Sequence, residues 1–122
     1  MPLIRPLDPT FPIDRQLALD ATDITLLIVF TMDGCDEQAF LAAWRTDDEV
    51  LRQQPGFVAS HLHRAIGDRP MYMNHAQWET TAHLRAAFAH PGHQAAASLY
   101  PASTIGRPHL FRTVAVRGIS GQ

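Results

Sequence analysis

An asparagine and a tryptophan, Asn74 and Trp78, stand four residues apart near the end of a predicted strand. Strand side chains alternate between faces, so these two are expected to point the same way. An amide N–H and an indole N–H aimed into an apolar cavity can donate hydrogen bonds to an oxyanion as it forms. We predict that Asn74 and Trp78 stabilise a substrate anion. The alternative is that the amide bonds backbone groups while the indole fills the core.

Two histidines on the preceding predicted strand, His61 and His63, are candidates for a general base, because imidazole titrates near neutral pH. A turn at residues 66–69 makes the numbers of cross-strand partners sum to about 135. That register sets His61 opposite Asn74, His63 opposite Tyr72, and Phe57 opposite Trp78. One sheet face is then predicted to carry both histidines, with His63, or His61 on the same face, as the base; the alternative for His63 is a hydrogen-bonded core or rim histidine.

The spacing of His61 and His63 also suits a metal pair on a strand, but a catalytic metal site usually takes three protein ligands. No clear third ligand appears on that face, since Tyr72 and Asn74 are poor substitutes for a carboxylate or an imidazole. The sequence also lacks a glycine motif that would cradle the phosphates of a flavin or a dinucleotide. We therefore predict no metal and no cofactor.

The elements that must position these residues follow from apolar periodicity and from the Gly and Pro punctuation of the chain. The predicted elements are a strand over Ile24–Met32, a helix over 35–53, a hairpin of Phe57–Arg64 and Met71–Trp78, a helix from about Thr80 to His90, a short helical piece over His93–Leu99 and a strand over Leu110–Val116. The order β-α-β-β-α-β predicts an α+β, ferredoxin-like fold, in which both helices cover one face of an antiparallel four-stranded sheet.

The other face of this sheet is expected to be open and apolar, which is not stable in water unless something covers it. The residues expected there are Val58, Leu62, Met71 and Met73. A second copy of the sheet is the natural cover, so we predict a homodimer.

Length and composition predict one compact domain: 122 residues, 46% hydrophobic and 18% charged. A net charge of −2 without a Lys or Arg cluster argues against nucleic acid and anionic membranes as partners. One cysteine cannot form an internal disulfide, and the start has no basic region before an apolar run, so a cytoplasmic location is expected.

Three segments are predicted along the chain: a proline-rich arm over 1–23, the domain over 24–117 and a tail over 118–122. Prolines at positions 2, 6, 9 and 12 fix φ and remove donors, so residues 1–13 should be extended. The arm is expected either to be loose or to pack on a partner subunit.

The chain resembles the antibiotic biosynthesis monooxygenase family over roughly residues 24–117. The matching pieces are Leu26–Arg45, the turn and strand from Gln54 through Arg64, Asn74–Glu79, His90-Pro91-Gly92-His93-Gln94 and Phe111–Val116. The resemblance implies a dimeric α+β barrel, and some members oxygenate polycyclic polyketides without metal or flavin.

The resemblance also implies roles for single residues. Asn74 and Trp78 match an Asn and a Trp that line the pocket of the oxygenase members, and His63 resembles a His on the second strand. The family pattern departs at Leu84, where the quinone-forming type has an aromatic residue, and at Ile28, where an Asn is common. A haem-degrading site would need polar or aromatic residues where this chain has Ile28, Ala87 and Ala97, so that activity is not expected.

We therefore predict a cofactor-independent monooxygenase that acts with O2 on a small phenolic or quinone-like aromatic. The predicted catalytic residues are Asn74, Trp78 and His63. The predicted substrate-binding residues are His61, Tyr72, Leu84, Phe88, Phe57 and Ile28. The alternatives are a non-catalytic small-molecule binding or dimerisation module of the same fold, and a cofactor-free isomerase or cyclase.

Overall fold

The computed structural model describes residues 2–115, in which five strands form one sheet in the order β1-β5-β2-β4-β3. The strands are β1 (Leu3–Ile4), β2 (Thr22–Thr31), β3 (Phe57–Arg64), β4 (Met71–Thr80) and β5 (Ile105–Arg112). The helices are α1 (Ile13–Leu17), α2 (Glu37–Leu51), α3 (Thr81–Ala89) and α4 (Pro91–Ala97). Strands β2 to β5 with the helices between them have the predicted ferredoxin-like order, and β1 adds a fifth strand at the edge.

Buried and more exposed side chains alternate along the central strands β2 and β4, as expected for a sheet with helices on one face only. Among their even-numbered residues, Ile24, Leu26, Phe30, Tyr72 and Trp78 are at most 5% exposed. Leu27 and Val29, on the other face of β2, are only half-buried within this chain. The helix-covered face therefore holds the core.

That core consists of two clusters of side chains. One surrounds Trp78 and Leu84, and the other surrounds Phe40 and Tyr100. Ile28 packs against both clusters, so their junction lies in the middle of the sheet.

The start of α2 is bonded to a distant segment and is not capped by a neighbouring aspartate. A 3-10 turn over Gly34–Asp36 precedes the helix, and neither Asp33 nor Asp36 caps it with its side chain. The carboxylate of Asp36 instead accepts a hydrogen bond from the Ser103 hydroxyl at 2.6 Å. The Ser103 hydroxyl therefore bonds a carboxylate that lies next to the start of α2 but does not cap it.

Helices α3 and α4 are separated by a capped break. The Thr80 hydroxyl accepts from the backbone N–H of His83 at 3.0 Å and so caps α3. The Nδ1 atom of His90 accepts from the N–H of Gly92 at 2.9 Å, and Pro91 takes the first position of α4. Proline suits that position because its missing N–H would have no partner there. The second helical piece therefore begins at Pro91 rather than at His93 as predicted.

The last strand begins five residues earlier than predicted, at Ile105, and includes Pro108. The N–H of Leu110 points to the outer edge of β5, where Gln16 Oε1 accepts it at 2.7 Å. The backbone N–H groups of residues two apart in a strand point to the same edge. The nitrogen of Pro108 therefore also faces the outer edge of β5, away from β2, so its missing N–H removes no hydrogen bond between β5 and β2. The predicted end of this strand, Val116, and the tail over 118–122 lie outside the described residues.

Part of the N-terminal arm packs on its own chain. Its β1 pairs in parallel with β5, Leu3 beside Ile105, and Ile13 and Leu17 of α1 pack against the cluster around Trp78. The arm is extended at β1, as predicted for residues 1–13, but a short helix begins at Ile13.

Candidate functional site

A cavity of about 50 Å³ lies at the junction of the two core clusters, between the covered sheet face and the helices. Leu26 and Trp78 of one cluster and Phe30 and Tyr100 of the other contribute to its wall. The remaining lining residues are Ile28, Trp44, Asp47, Asp48, Leu51, Phe57, Ser60, Asn74, Ala76, Phe88 and His93. A volume of this size admits only a few water molecules.

Asn74 and Trp78 share a wall of this cavity, as the alternation of β4 predicts. Asn74 pairs across the sheet with Ile28 and is 8% exposed, while Trp78 pairs with Ile24 and is 2% exposed. The indole meets the ring of Phe57 edge to face, with 5.4 Å between centroids. Both side chains are held by the sheet and by core packing, so neither depends on a loop for its position.

The amide oxygen of Asn74 is buried without a hydrogen-bond partner. Leaving a buried acceptor unpaired costs about 1–3 kcal/mol, and a residue that only fills the core would not need an amide. The position lies between Tyr72 and Ala76, where the strand otherwise presents apolar or aromatic groups to the core. The unpaired acceptor is the polar feature of the wall that packing does not explain.

Three of the predicted substrate-binding residues, Ile28, Phe57 and Phe88, line the cavity. Leu84 does not, because its side chain is fully buried in the cluster under α3. The prediction that Leu84 contacts substrate is wrong for this cavity.

Tyr72 also lies away from the cavity. Its ring packs on Phe40 with 5.0 Å between centroids, and its hydroxyl donates to the Glu37 carboxylate. Arg64 completes the group through an ion pair with Glu37 at 2.6 Å. The hydrogen bonds from Arg64 and then from Tyr72 hold the pKa of Glu37 below its usual range. Tyr72 and Arg64 thus link the hairpin to Glu37 at the start of α2. The Tyr72 hydroxyl bonds Glu37 and does not face the cavity.

The predicted hairpin register is wrong by one residue. In the structure His61 pairs with His75 and His63 with Met73, while Leu62 takes the place opposite Asn74. His61 and His63 therefore lie on the sheet face that the helices do not cover, and both are exposed. A base on either histidine does not share a wall with Asn74 in this chain.

An irregularity in β3 explains why one pair of that register is nevertheless correct. The pairing shifts between Phe57 and Ala59, so that Phe57 still lies opposite Trp78. Such a bulge changes which side chains face the core along a strand. It also leaves Val58 55% exposed, whereas Leu62, predicted on the open face, packs against the core instead.

A carboxylate and a histidine that the sequence reasoning did not assign to the site lie in the cavity wall. His93 Nδ1 is 2.6 Å from Asp47 Oδ1, with side chains 19% and 10% exposed. The Tyr100 hydroxyl is 3.5 Å from the other oxygen of Asp47. Burial, reinforced by the charge of Asp47, raises the pKa of Tyr100, so the phenol stays protonated as a donor.

One signal of this pair was present in the sequence. Asp47 falls in the same helical stripe as Phe40, Ala43 and Leu51, and an acidic residue on the core side of an amphipathic helix needs a partner. His93 lies 46 residues further along the chain, and no local pattern connects the two.

Asp48 and Arg52 stand one helical turn apart, with 2.9 Å between the charged groups. Asp48 also accepts from the Ser60 hydroxyl at 2.5 Å and contributes to the cavity lining. This ion pair therefore links α2 to β3 as well as covering a solvated face.

Neither a metal cluster nor a membrane helix is found among residues 2–115. No group of three or more His, Cys, Asp or Glu side chains there could hold a metal ion. None of the helices there is long and apolar enough to cross a bilayer.

The sequence model of the antibiotic biosynthesis monooxygenase family matches residues 23–99. The chain is similar to SnoaB, a cofactor-independent oxygenase from Streptomyces nogalater, with 26% identity and a TM-score of 0.73 over 80% of this chain and 99% of that one. A mutant of SnoaB with an asparagine replaced by alanine matches over the same shares, with 26% identity and a TM-score of 0.71.

A protein from Pseudomonas aeruginosa is 16% identical and has a TM-score of 0.66 over 78% of this chain and 97% of that one. At this identity the likeness concerns the fold only. No curated protein matches the chain in sequence.

Proposed function

The chain belongs to the antibiotic biosynthesis monooxygenase family, and we propose that it is a cofactor-independent monooxygenase that oxidises a small phenolic or quinone-like aromatic with O2. The observation that carries this proposal is the buried, unpaired amide oxygen of Asn74 in a cavity that Trp78 also lines. The similarity to a cofactor-independent oxygenase at 26% identity supports the same reaction class.

The Asn74 amide suits a phenol. A phenolic O–H would donate to the unpaired oxygen, and a half-turn of the amide would present its N–H to the phenolate after the proton has left. The indole of Trp78 would add a second N–H or an aromatic surface against the ring. In an apolar cavity such donors stabilise an anion more strongly than water-exposed ones do.

The reaction needs no electron carrier, because the substrate anion itself reduces O2. A base removes one proton from a ring CH2 group, and the anion gives an electron to O2. Recombination of the substrate radical with superoxide forms the C–O bond of a peroxide. Loss of the second C–H proton with cleavage of the O–O bond leaves a carbonyl and water, so CH2 and O2 become C=O and H2O. The residues in the wall contribute by favouring the anion.

The cavity must widen to admit an aromatic substrate, because ligand pockets usually enclose about 300–1,000 Å³ and this one encloses about 50 Å³. Phe57 and Trp44 are half-buried parts of its wall that can move without exposing the centre of the core. Substrate binding is therefore expected to displace aromatic side chains, which changes tryptophan fluorescence.

We also propose that the protein is a homodimer through the sheet face without helices. Leu27, Val29, Met71 and Met73 lie on that face, and Met71 is 40% exposed. Apolar side chains on a broad sheet face favour a partner sheet. This face is the reverse of the one that bears Asn74, so each chain keeps its own cavity.

Oxygen uptake with a panel of anthrones and hydroquinones tests the proposed reaction. One O2 should be consumed for each anthrone converted to its quinone, and Asn74→Ala should lower kcat by roughly 10²–10³-fold. Arg45→Gln, on the exposed side of α2, is the matched control and should keep the wild-type rate. Absence of uptake above the buffer rate across the panel would overturn the proposal.

The second candidate is a non-catalytic binding module of the same fold. The small cavity favours it, as does the aliphatic side chain of Ile28 in the wall. Saturable fluorescence changes with the same aromatics, without O2 uptake, would support this candidate over the first.

A further inference from the structure

We propose that His93 is the general base of this cavity and that Asp47 positions it. The inference rests on the proposed function, because it assigns the proton transfer of that reaction to residues of the chain. The assignment starts from geometry: Asp47 and His93 are in hydrogen-bond contact, and both line the cavity that holds the unpaired amide of Asn74.

The contact with Asp47 decides which ring nitrogen of His93 is the base. His93 Nδ1 lies 2.6 Å from the carboxylate, so the neutral ring carries its proton on Nδ1 and presents the lone pair of Nε2. Phe88 stacks on the imidazole with 5.2 Å between centroids, which fixes the plane of the ring. A carboxylate behind a histidine in this way orients the ring and stabilises the imidazolium after proton transfer.

Asp47 is itself held as a carboxylate acceptor. Its second oxygen is 3.5 Å from the Tyr100 hydroxyl, and Asp47 is only 7% exposed. The neighbouring Asp48 is neutralised separately by Arg52, at 2.9 Å. Burying a carboxylate on the core side of a helix is costly unless it is paired, so the pair with His93 explains why an acid occupies this position.

The charges balance in the resulting step. A substrate C–H or O–H proton passes to His93 Nε2, the substrate becomes an anion beside Asn74 and Trp78, and the new imidazolium lies against the Asp47 carboxylate. The imidazolium later protonates the peroxide, so that the oxygen leaves as water. The histidines predicted from the sequence do not offer this arrangement, because His61 and His63 lie on the opposite sheet face.

Proton removal can be measured without O2, which separates this inference from the oxygenation itself. We would follow deuterium exchange into the methylene group of anthrone in D2O under nitrogen, by NMR. The wild-type protein should accelerate exchange above the buffer rate, and His93→Gln should lower that acceleration by roughly 10²–10⁴-fold. His75→Gln, a half-buried histidine on the other sheet face, is the matched control and should exchange like wild type.

Asp47→Asn tests positioning. It should lower kcat with KM unchanged, and 15N NMR should show the neutral His93 ring as a mixture of tautomers instead of the Nδ1–H form. A purely structural role for Asp47 would lower stability without changing the tautomer of the folded protein. His93→Ala with added imidazole provides a second test of the base, because imidazole bound in the vacated site should raise exchange above the rate that the same imidazole concentration gives without protein.

The outcomes distinguish the two proposals. Exchange under nitrogen without O2 uptake in air would overturn the monooxygenase and leave the base assignment standing. Undiminished exchange and O2 uptake in His93→Gln would overturn the base assignment and leave the monooxygenase standing. Loss of proton exchange and of O2 uptake in His63→Gln, with both activities intact in His93→Gln, would overturn the assignment to His93 and identify His63 as the base.

Discussion

Replacing Asn74 by leucine should make the protein more stable and less active. Leucine has the same branching at Cγ as asparagine, its larger methyl groups can extend into the adjacent cavity, and it removes the unpaired oxygen. That oxygen costs about 1–3 kcal/mol while it lacks a partner. At about 4 °C per kcal/mol for a chain of this size, Asn74→Leu should raise Tm by roughly 4–12 °C. Its O2 uptake with anthrone should fall by roughly 10²–10³-fold, because the anion loses an aimed donor.

Thermal unfolding by circular dichroism and O2 uptake on the same preparations measure both effects. Gln38→Leu, an exposed amide on α2, is the control and should change stability by no more than about 0.5 kcal/mol. An unchanged or lowered Tm for Asn74→Leu would mean that the amide is satisfied in the resting protein, and the reasoning from the unpaired oxygen would fail. A higher Tm with full activity would show that the amide oxygen is unpaired in the resting protein but that Asn74 does not contribute to the reaction.

Three further predictions follow from the same structure. Trp78→Phe keeps most of the ring against Phe57, so O2 uptake should fall more than Tm if the indole N–H acts on the substrate, whereas a purely packing role would lower the two together. Hydrogen bonds from Arg64 and Tyr72 lower the pKa of Glu37 in the folded state. The stability that this carboxylate contributes is therefore present above its unfolded pKa and is lost as the pH falls through its folded pKa. Below about pH 4.5 the Tm of Glu37→Gln should depend less on pH than the Tm of wild type, and parallel plots of Tm against pH would contradict this. Sedimentation at micromolar concentration should give a dimer, and replacing Met73 by Glu should shift it to monomer with the cavity intact; a wild-type monomer would refute the sheet-to-sheet interface.

The order of elements could be read from the sequence because local signals agree with the global fold. Apolar alternation in β2 and β4, the Thr80 cap and the Pro55-Gly56 stop each act over a few residues. The helix-covered positions of Asn74 and Trp78 follow from the same alternation. Gly56 has φ +85°, a conformation that glycine adopts without strain, so the turn between α2 and β3 is also a local property.

The register of the hairpin could not be read in that way. The turn extends from Ala65, whose N–H donates to the carbonyl of Met71 at 2.8 Å, and the cross-strand sum is one greater than predicted. A shift of one residue moves every side chain of a strand to the other face. His61 and His63 therefore lie on the face opposite the cavity. Phe57 still lines the cavity because the bulge restores its predicted pairing with Trp78.

The sequence by itself determined the family, the α+β order and the amide and indole on one strand face, since all of these depend on residues close together in the chain. Only the tertiary structure decided the partner of Asn74 across the hairpin, the unpaired state of its oxygen and the pairing of Asp47 with His93. The last two depend on contacts between distant segments, and the side chains concerned carry no local pattern that encodes their partners. Packing α2 and α4 against one sheet face brought the carboxylate and the imidazole within 2.6 Å, and it placed them in the wall of the cavity that the amide also lines.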